Sequence, residues 1–234
     1  RHTRFKCDWS SDVCSSDLFD LDGTLVDSRR DIADSMNDLL AERGAGPLSE
    51  AAIARMIGDG ARMLVRRALA RVGLEERPGD AERFLAIYDT RLFNHTRPYD
   101  GVLEAVHAAR QRGHVAVLTN KALAPSERLL QGLGLRDLFD DVIGGDGPYP
   151  RKPDPSALKA LMGRAGVRPG DTLMIGDSRV DFETAVGAEA RCCIAAYGFS
   201  SHTLEGVDTG TAWVARSAAE VLTAIVRFAD PARG

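Results

Sequence analysis

Apolar residues are spaced in two different ways along this chain of 234 residues. Between residues 29 and 96 they recur at helical intervals. Ile32, Met36, Leu39 and Leu40 share one helix face, and the breakers Gly44 and Gly46-Pro47 close that helix. Ser49 is placed to cap a second helix carrying Ile53, Met56 and Ile57, which Gly58-Asp59-Gly60 stops. A third helix, residues 61–72, presents Leu64, Ala68 and Leu69 together, and a fourth opens at Asp80 with Phe84, Tyr88 and Leu92 in one stripe. Helices in succession with no strand between them predict a small helical domain over residues 29–96.

Beyond Arg97-Pro98-Tyr99-Asp100-Gly101, which reads as a return linker, the spacing changes. Short apolar runs at 115–118, 141–143, 172–175 and 192–195 alternate with helix-periodic stretches at 102–112, 125–133, 156–165 and 182–186. Trp213-Val214 adds an edge strand, and residues 218–228 a final helix. Strands separated by helices predict an α/β fold, a doubly wound parallel sheet into which the helical domain is inserted. The core then comprises residues 19–28 and 97–234.

The strand rule fails at the start of the chain. A buried parallel strand leading into Asp20 should read as Val, Ile and Leu, whereas Cys7–Leu18 is polar and serine-rich. Translated back into codons, that run resembles a sequencing-library adapter. The expectation is therefore a non-native segment over residues 1–18, joined to genuine protein near Leu18 or Phe19; a native polar extension is the alternative.

Composition narrows the classes. With 44% hydrophobic and 27% charged residues and a net charge of −4, the chain reads as an ordinary globular protein without a nucleic-acid or membrane-surface partner. No apolar run approaches the ~20 residues of a membrane-spanning helix, and residues 1–17 lack the apolar stretch of a signal peptide. A cytoplasmic monomer or homodimer is expected. Cys192-Cys193 are adjacent and so do not bridge each other easily, and the histidines show no metal-ligand spacing.

The candidate chemistry lies where predicted strands end. Asp20 and Asp22 precede a Gly23-Thr24 turn, Thr119-Asn120 follow the 115–118 run, and Asp177 follows the 172–175 run. Carboxyl ends of parallel strands are where such sheets keep their sites. In an extended strand Asp20 and Asp22 would face one side, and two like charges that close need compensation, either a shared proton or a bound cation. Asp20 with Asp177 forms a hard oxygen site suited to Mg²⁺. Lys152, in the proline-bounded loop Arg151-Lys152-Pro153-Asp154-Pro155, would hold phosphate oxygens with Thr119 and backbone N–H groups. Asp20 would then attack phosphorus, while Asp22 gives a proton to the leaving oxygen and later takes one from water. Plainer roles exist for several of these residues: Thr119 as a helix cap, Asp181 as an acidic residue at a helix start, Lys152 as a solvated lysine.

The order Asp20-x-Asp22-Gly23-Thr24, Thr119, Lys152 and Gly176-Asp177-Ser178-x-x-Asp181 resembles the haloacid dehalogenase superfamily of phosphohydrolases, over about residues 19–226. The resemblance implies a Rossmann-like core with a small α-helical cap that closes over the substrate. It also implies that Asp20 is nucleophile and metal ligand. Asp22 is then the acid/base, binding metal through its carbonyl; Asp177 is a metal ligand; Thr119, Asn120 and Lys152 contact phosphate; and Thr24 and Asp181 support the site. The stretches Ile57-Gly58-Asp59-Gly60-Ala61-Arg62, Gly144-Gly145-Asp146 and Gly176-Asp177-Ser178-Arg179 are most similar to phosphoglycolate phosphatases.

The expected function is Mg²⁺-dependent hydrolysis of a small phosphomonoester, 2-phosphoglycolate first among candidates. A phosphosugar mutase or another capped phosphatase is the alternative, and a phosphoacceptor domain without turnover is a more distant one. Arg62, between two insert helices, could pair a substrate carboxylate or lie on a solvated face beside Arg66 and Arg67.

Overall fold

Alternation of side chains along short apolar strands dictates a sheet covered on both faces, and the protein is built that way. A computed structural model describes residues 15–228. In chain order the elements are β1 Ser15–Phe19, β2 Val26–Asp27, α1 Arg29–Glu42, α2 Glu50–Ala54, α3 Ala61–Arg71, α4 Asp80–Asp89, β3 Arg97–Pro98, α5 Val102–Arg110, β4 Gly113–Leu118, α6 Leu123–Gly132, β5 Asp141–Ile143, α7 Ser156–Ala165, β6 Thr172–Gly176, α8 Arg179–Gly187, β7 Arg191–Ala195, β8 Trp213–Ala215 and α9 Ala218–Phe228. Six strands form one sheet in the order β5-β4-β1-β6-β7-β8, and every pair in it is parallel. This is the Rossmann-like arrangement expected from the sequence.

Val115, Val117, Leu173, Ile175 and Phe19 point to one face, where α5 and α9 cover them. Ala116, Leu118, Met174 and Leu18 point to the other, against Leu158 and Leu161 of α7. Period-two alternation on each strand thus fills two cores. The first core is continuous with the helical insert through Leu21, Met36, Ile53 and Leu69.

The stretch read as a return linker has structure of its own. β2 and β3 pair antiparallel, Val26 with Pro98 and Asp27 with Arg97, so the chain enters and leaves the α1–α4 insert through one two-stranded ribbon. Buried Asp31 at the start of α1 accepts bonds from His95 N, Thr96 N and Thr96 Oγ1 at 2.8–3.0 Å, fastening the end of the insert to its beginning. Ser49 caps α2 as expected, accepting from Ala52 N at 3.2 Å.

The central strand departs most from the apolar rule. Ser15, Ser16 and Asp17 form the body of β1 between β4 and β6, and all three are buried. Backbone pairing holds them there despite their side chains, to β4 from Ser15 onward and to β6 from Ser16 onward. Cys7–Cys14, the remainder of the adapter-like run, lies outside the described residues.

Candidate active site

The site is assembled where β1, β4 and β6 end. Strand β1 stops at Phe19, and Asp20 N donates to Ile175 O at 2.9 Å, which fixes Asp20 against β6. The chain then turns tightly: Thr24, Leu25 and Val26 N–H groups all donate to Leu21 O. Asp20 and Asp22 therefore do not sit on one extended strand, although both line the same cavity. Gly23 makes the turn with φ +92°, and a Cβ at that position would collide with the Asp177 carboxylate. At the end of β6 a Cβ on Gly176 would likewise strike the carboxylate of Asp181. Glycine at these two points is what lets carboxylates close in on the strand ends.

Asp20, Asp177 and Asp181 are buried, and each offers an oxygen within 4.8 Å of those of the other two. Lys152 Nζ lies among them, donating to Asp20 Oδ1 at 2.7 Å and Asp181 Oδ1 at 2.5 Å. The other Asp181 oxygen accepts from Ser178 N at 3.1 Å and Ser178 Oγ at 2.5 Å, while Asp181 N donates to Ser178 Oγ at 3.3 Å. This capping box starts α8 and aims Asp181 at the lysine in the same stroke. Asp177 accepts from Ser200 N at 2.8 Å. Burial raises the Asp20 carboxyl to about 6 although Lys152 opposes the shift. Burial, with the charges of Asp20 and Asp181 added, pushes Asp177 well above the ordinary carboxylate range. For Lys152, burial works against the ammonium, but Asp181 and Asp20 more than restore it and its pKa is raised.

Asp22 belongs to a second network. Ser28 Oγ donates to its Oδ1 at 2.6 Å, and Lys121 Nζ lies 3.1 and 3.0 Å from its two oxygens. The same ammonium donates to Tyr88 Oη of α4 at 2.9 Å and lies 4.4 Å from the Tyr88 ring centre. Burial opposes the Lys121 charge, yet Asp22 and Tyr88 leave its pKa raised. The burial of Tyr88 lifts its phenol to about 12, so it stays a neutral donor and acceptor.

The remaining sequence candidates divide. Thr119 N donates to Ile143 O at 3.0 Å, and its Oγ1, at the cavity wall, accepts from Lys121 N at 3.2 Å. The Asn120 amide is committed elsewhere: Nδ2 donates to Gly58 O at 2.9 Å and Lys152 O at 3.0 Å. It ties the glycine turn of the insert to the lysine loop, as does Arg151, whose Nε donates to Gly145 O at 2.7 Å and whose NH1 donates to Asp59 O at 3.4 Å. Thr24 is buried in its turn, its carbonyl accepting from Tyr197 Oη at 2.9 Å. Arg62 is not brought to the cavity. Its side chain is 76% exposed and pairs with Glu76 at 3.3 Å, because the start of α3 turns that face to solvent.

Lys121, Tyr88 and Ser28 were missed by motif reasoning. Lys121 directly follows Thr119-Asn120 at a predicted strand end, a signal available in the sequence. The sequence shows Tyr88 only as part of a helical stripe. The cavity that these groups enclose measures about 60 Å³, and the insert covers it with Ile57, Leu64, Phe84 and Leu85.

A family profile described as haloacid dehalogenase-like hydrolase matches residues 18–195. A phosphoglycolate phosphatase of Rhodospirillum rubrum is 44% identical over 193 residues, covering 78% of this chain and 80% of that protein. Phosphoglycolate phosphatase 1 of Pseudomonas aeruginosa is 38% identical over 191 residues, covering 78% and 70% respectively. Among solved structures, a "predicted phosphoglycolate phosphatase" of Haemophilus somnus superposes with a TM-score of 0.82 at 28% identity, over 91% of this chain and 98% of that one.

Proposed function

The chain belongs to the haloacid dehalogenase-like hydrolases and is a phosphomonoester hydrolase, and from that premise we propose a Mg²⁺-dependent phosphatase that converts 2-phosphoglycolate to glycolate and phosphate through an aspartyl-phosphate on Asp20. One observation carries the reading: Asp20 is buried at a strand end with Asp177 and Asp181 around it and Lys152 bonded to it.

Three carboxylates within reach of one another and one ammonium leave an excess of negative charge in a low-dielectric pocket. That donor set, all hard oxygen, fits Mg²⁺, and the absence of a Cβ at Gly23 leaves room for Asp177 to approach. Asp20, Asp177 and the main-chain carbonyl of Asp22 would hold the ion. When bound it supplies positive charge that lets a dianionic ester approach an anionic nucleophile.

The protein's own groups then divide the work. Lys152 and Thr119 hold phosphate oxygens, and Asp181 keeps Lys152 in place. An Asp20 oxygen attacks phosphorus as the ester P–O bond breaks, and Asp22 delivers its proton to the departing glycolate oxygen. A water then attacks the phosphoryl group, gives its proton to Asp22, and the Asp20–phosphorus bond breaks to restore the carboxylate. The α1–α4 insert acts as the cap that excludes bulk water from this exchange. The names of the relatives favour 2-phosphoglycolate over a phosphosugar.

Phosphate release across a panel of small esters and phosphosugars, with Mg²⁺ and with EDTA, tests the reading. The expected result is turnover of 2-phosphoglycolate that EDTA abolishes and Mg²⁺ restores. Turnover indifferent to EDTA, or confined to phosphosugars, would overturn it.

A further inference from the structure

Lys121 is unlike the other cation of the cavity. Lys152 lies among Asp20 and Asp181 at the strand ends. Lys121 sits on the insert side, bonded to Asp22 and to Tyr88 Oη. Among the described residues lining the cavity, these two lysines are the only cations. An ester whose phosphate meets Asp20, Thr119 and Lys152 has one direction left for its organic end, into the space under α3 and α4. The surfaces there are apolar, Ile57, Leu64 and Phe84 among them, apart from the Lys121 ammonium and the phenol that holds it. An ammonium carries three N–H donors. Both Asp22 oxygens and Tyr88 Oη face those donors, so a substrate carboxylate binds by taking over one of the two Asp22 contacts. Arg62, the carboxylate partner expected from the sequence, is turned outward to Glu76.

We propose that Lys121, held in place by Tyr88, is the specificity residue that binds the carboxylate of the substrate. This rests on the phosphoglycolate phosphatase reading above and deepens it. A carboxylate at this position gains a charge-assisted hydrogen bond inside a largely apolar cavity. A neutral group at the same position leaves that donor without an anionic partner and loses the advantage. Because Lys121 also touches Asp22, its removal affects turnover in general, and only a comparison of substrates isolates the recognition.

The comparison uses 2-phosphoglycolate and 2-hydroxyethyl phosphate, which share a two-carbon skeleton and differ in carboxylate against hydroxymethyl. The readout is the ratio of kcat/KM for the two esters in the wild type, Lys121→Met and Tyr88→Phe. The expected result is a wild-type preference for 2-phosphoglycolate that falls at least tenfold in Lys121→Met, chiefly through KM, and by a smaller factor in Tyr88→Phe. Should Lys121→Met fail to fold, the Tyr88→Phe ratio carries the test, and an unchanged ratio there overturns the proposal. Equal losses on both esters in Lys121→Met would also overturn it, showing that Lys121 acts only through Asp22. A wild type that turns over neither ester would instead overturn the underlying substrate reading.

Discussion

Strand β1 buries one carboxylate in its body and leads into a second at its carboxyl end, and the two surroundings are built differently. At its carboxyl end, Asp20 has Lys152 at 2.7 Å, and that lysine is itself held by Asp181, which a helix cap orients. In its body, Asp17 is fully buried, and neither of its oxygens has a hydrogen-bond partner among the described residues. Arg112 attracts it without bonding to it, and the guanidinium nitrogens of Arg112 have no hydrogen-bond partners there either. Burial raises both carboxyls, Asp20 to about 6 and Asp17 to about 7. The lesson is that burial alone marks nothing. What distinguishes a working site is the set of donors organised around the charge, which the end of β1 has and its body lacks.

Substitution at Asp20 should have the largest effect. Asp20→Asn keeps the size of the side chain but removes the oxygen proposed to attack phosphorus, so phosphate release should fall at least about 10³-fold while circular dichroism stays unchanged. Lys152→Met removes the cation that the acidic cluster surrounds and leaves buried charge uncompensated. It should lower unfolding free energy by about 3–5 kcal/mol in a denaturant titration and abolish most activity.

Asp17 should respond in the opposite direction. Asp17→Val replaces an unpartnered carboxylate by a residue suited to a buried parallel strand, and at pH 8 it should stabilise the protein by about 4 kcal/mol. The sign with pH follows from the raised value. Below about pH 4 both folded and unfolded chains hold the proton. As pH climbs toward 7 the unfolded chain releases it first, so wild-type stability declines over that window and is level above it. Denaturation curves at pH 4.5 and 8 should show the wild type losing stability relative to Asp17→Val, and the difference between the two proteins isolates Asp17 from the other raised carboxyls. A constant difference across pH would contradict the assignment. The smallest effect is expected at Arg62, whose pair with Glu76 is exposed. Arg62→Ala should change stability by no more than about 0.5 kcal/mol in the same titration.

Periodicity made much of this architecture legible. Residues 141–143, 156–165 and 218–228 were expected as strand, helix and helix, and are β5, α7 and α9 with those bounds. Apolar runs identify strands only when neighbours on both faces demand apolar side chains. Ser15–Asp17 is therefore invisible to that rule, although the ladders to β4 and β6 place it at the centre. The β2–β3 ribbon was missed for another reason, since two residues show no period. Within the site, Asp20, Asp177 and Lys152 were readable because each stands at a strand end or in a proline-bounded loop. Lys121 stands at a strand end too and was within reach of the same rule, but its pairing with Tyr88 was not, because that meeting depends on how α4 packs across the end of β4, a tertiary fact that no local spacing carries.

Acid quenching tests directly whether Asp20 accepts the phosphoryl group. Enzyme mixed with ³²P-labelled 2-phosphoglycolate and Mg²⁺, then stopped in acid during turnover, should carry acid-stable, hydroxylamine-sensitive label on the peptide containing Asp20, with none in Asp20→Asn. Equal labelling of Asp20→Asn, or full turnover by that variant, would contradict the account.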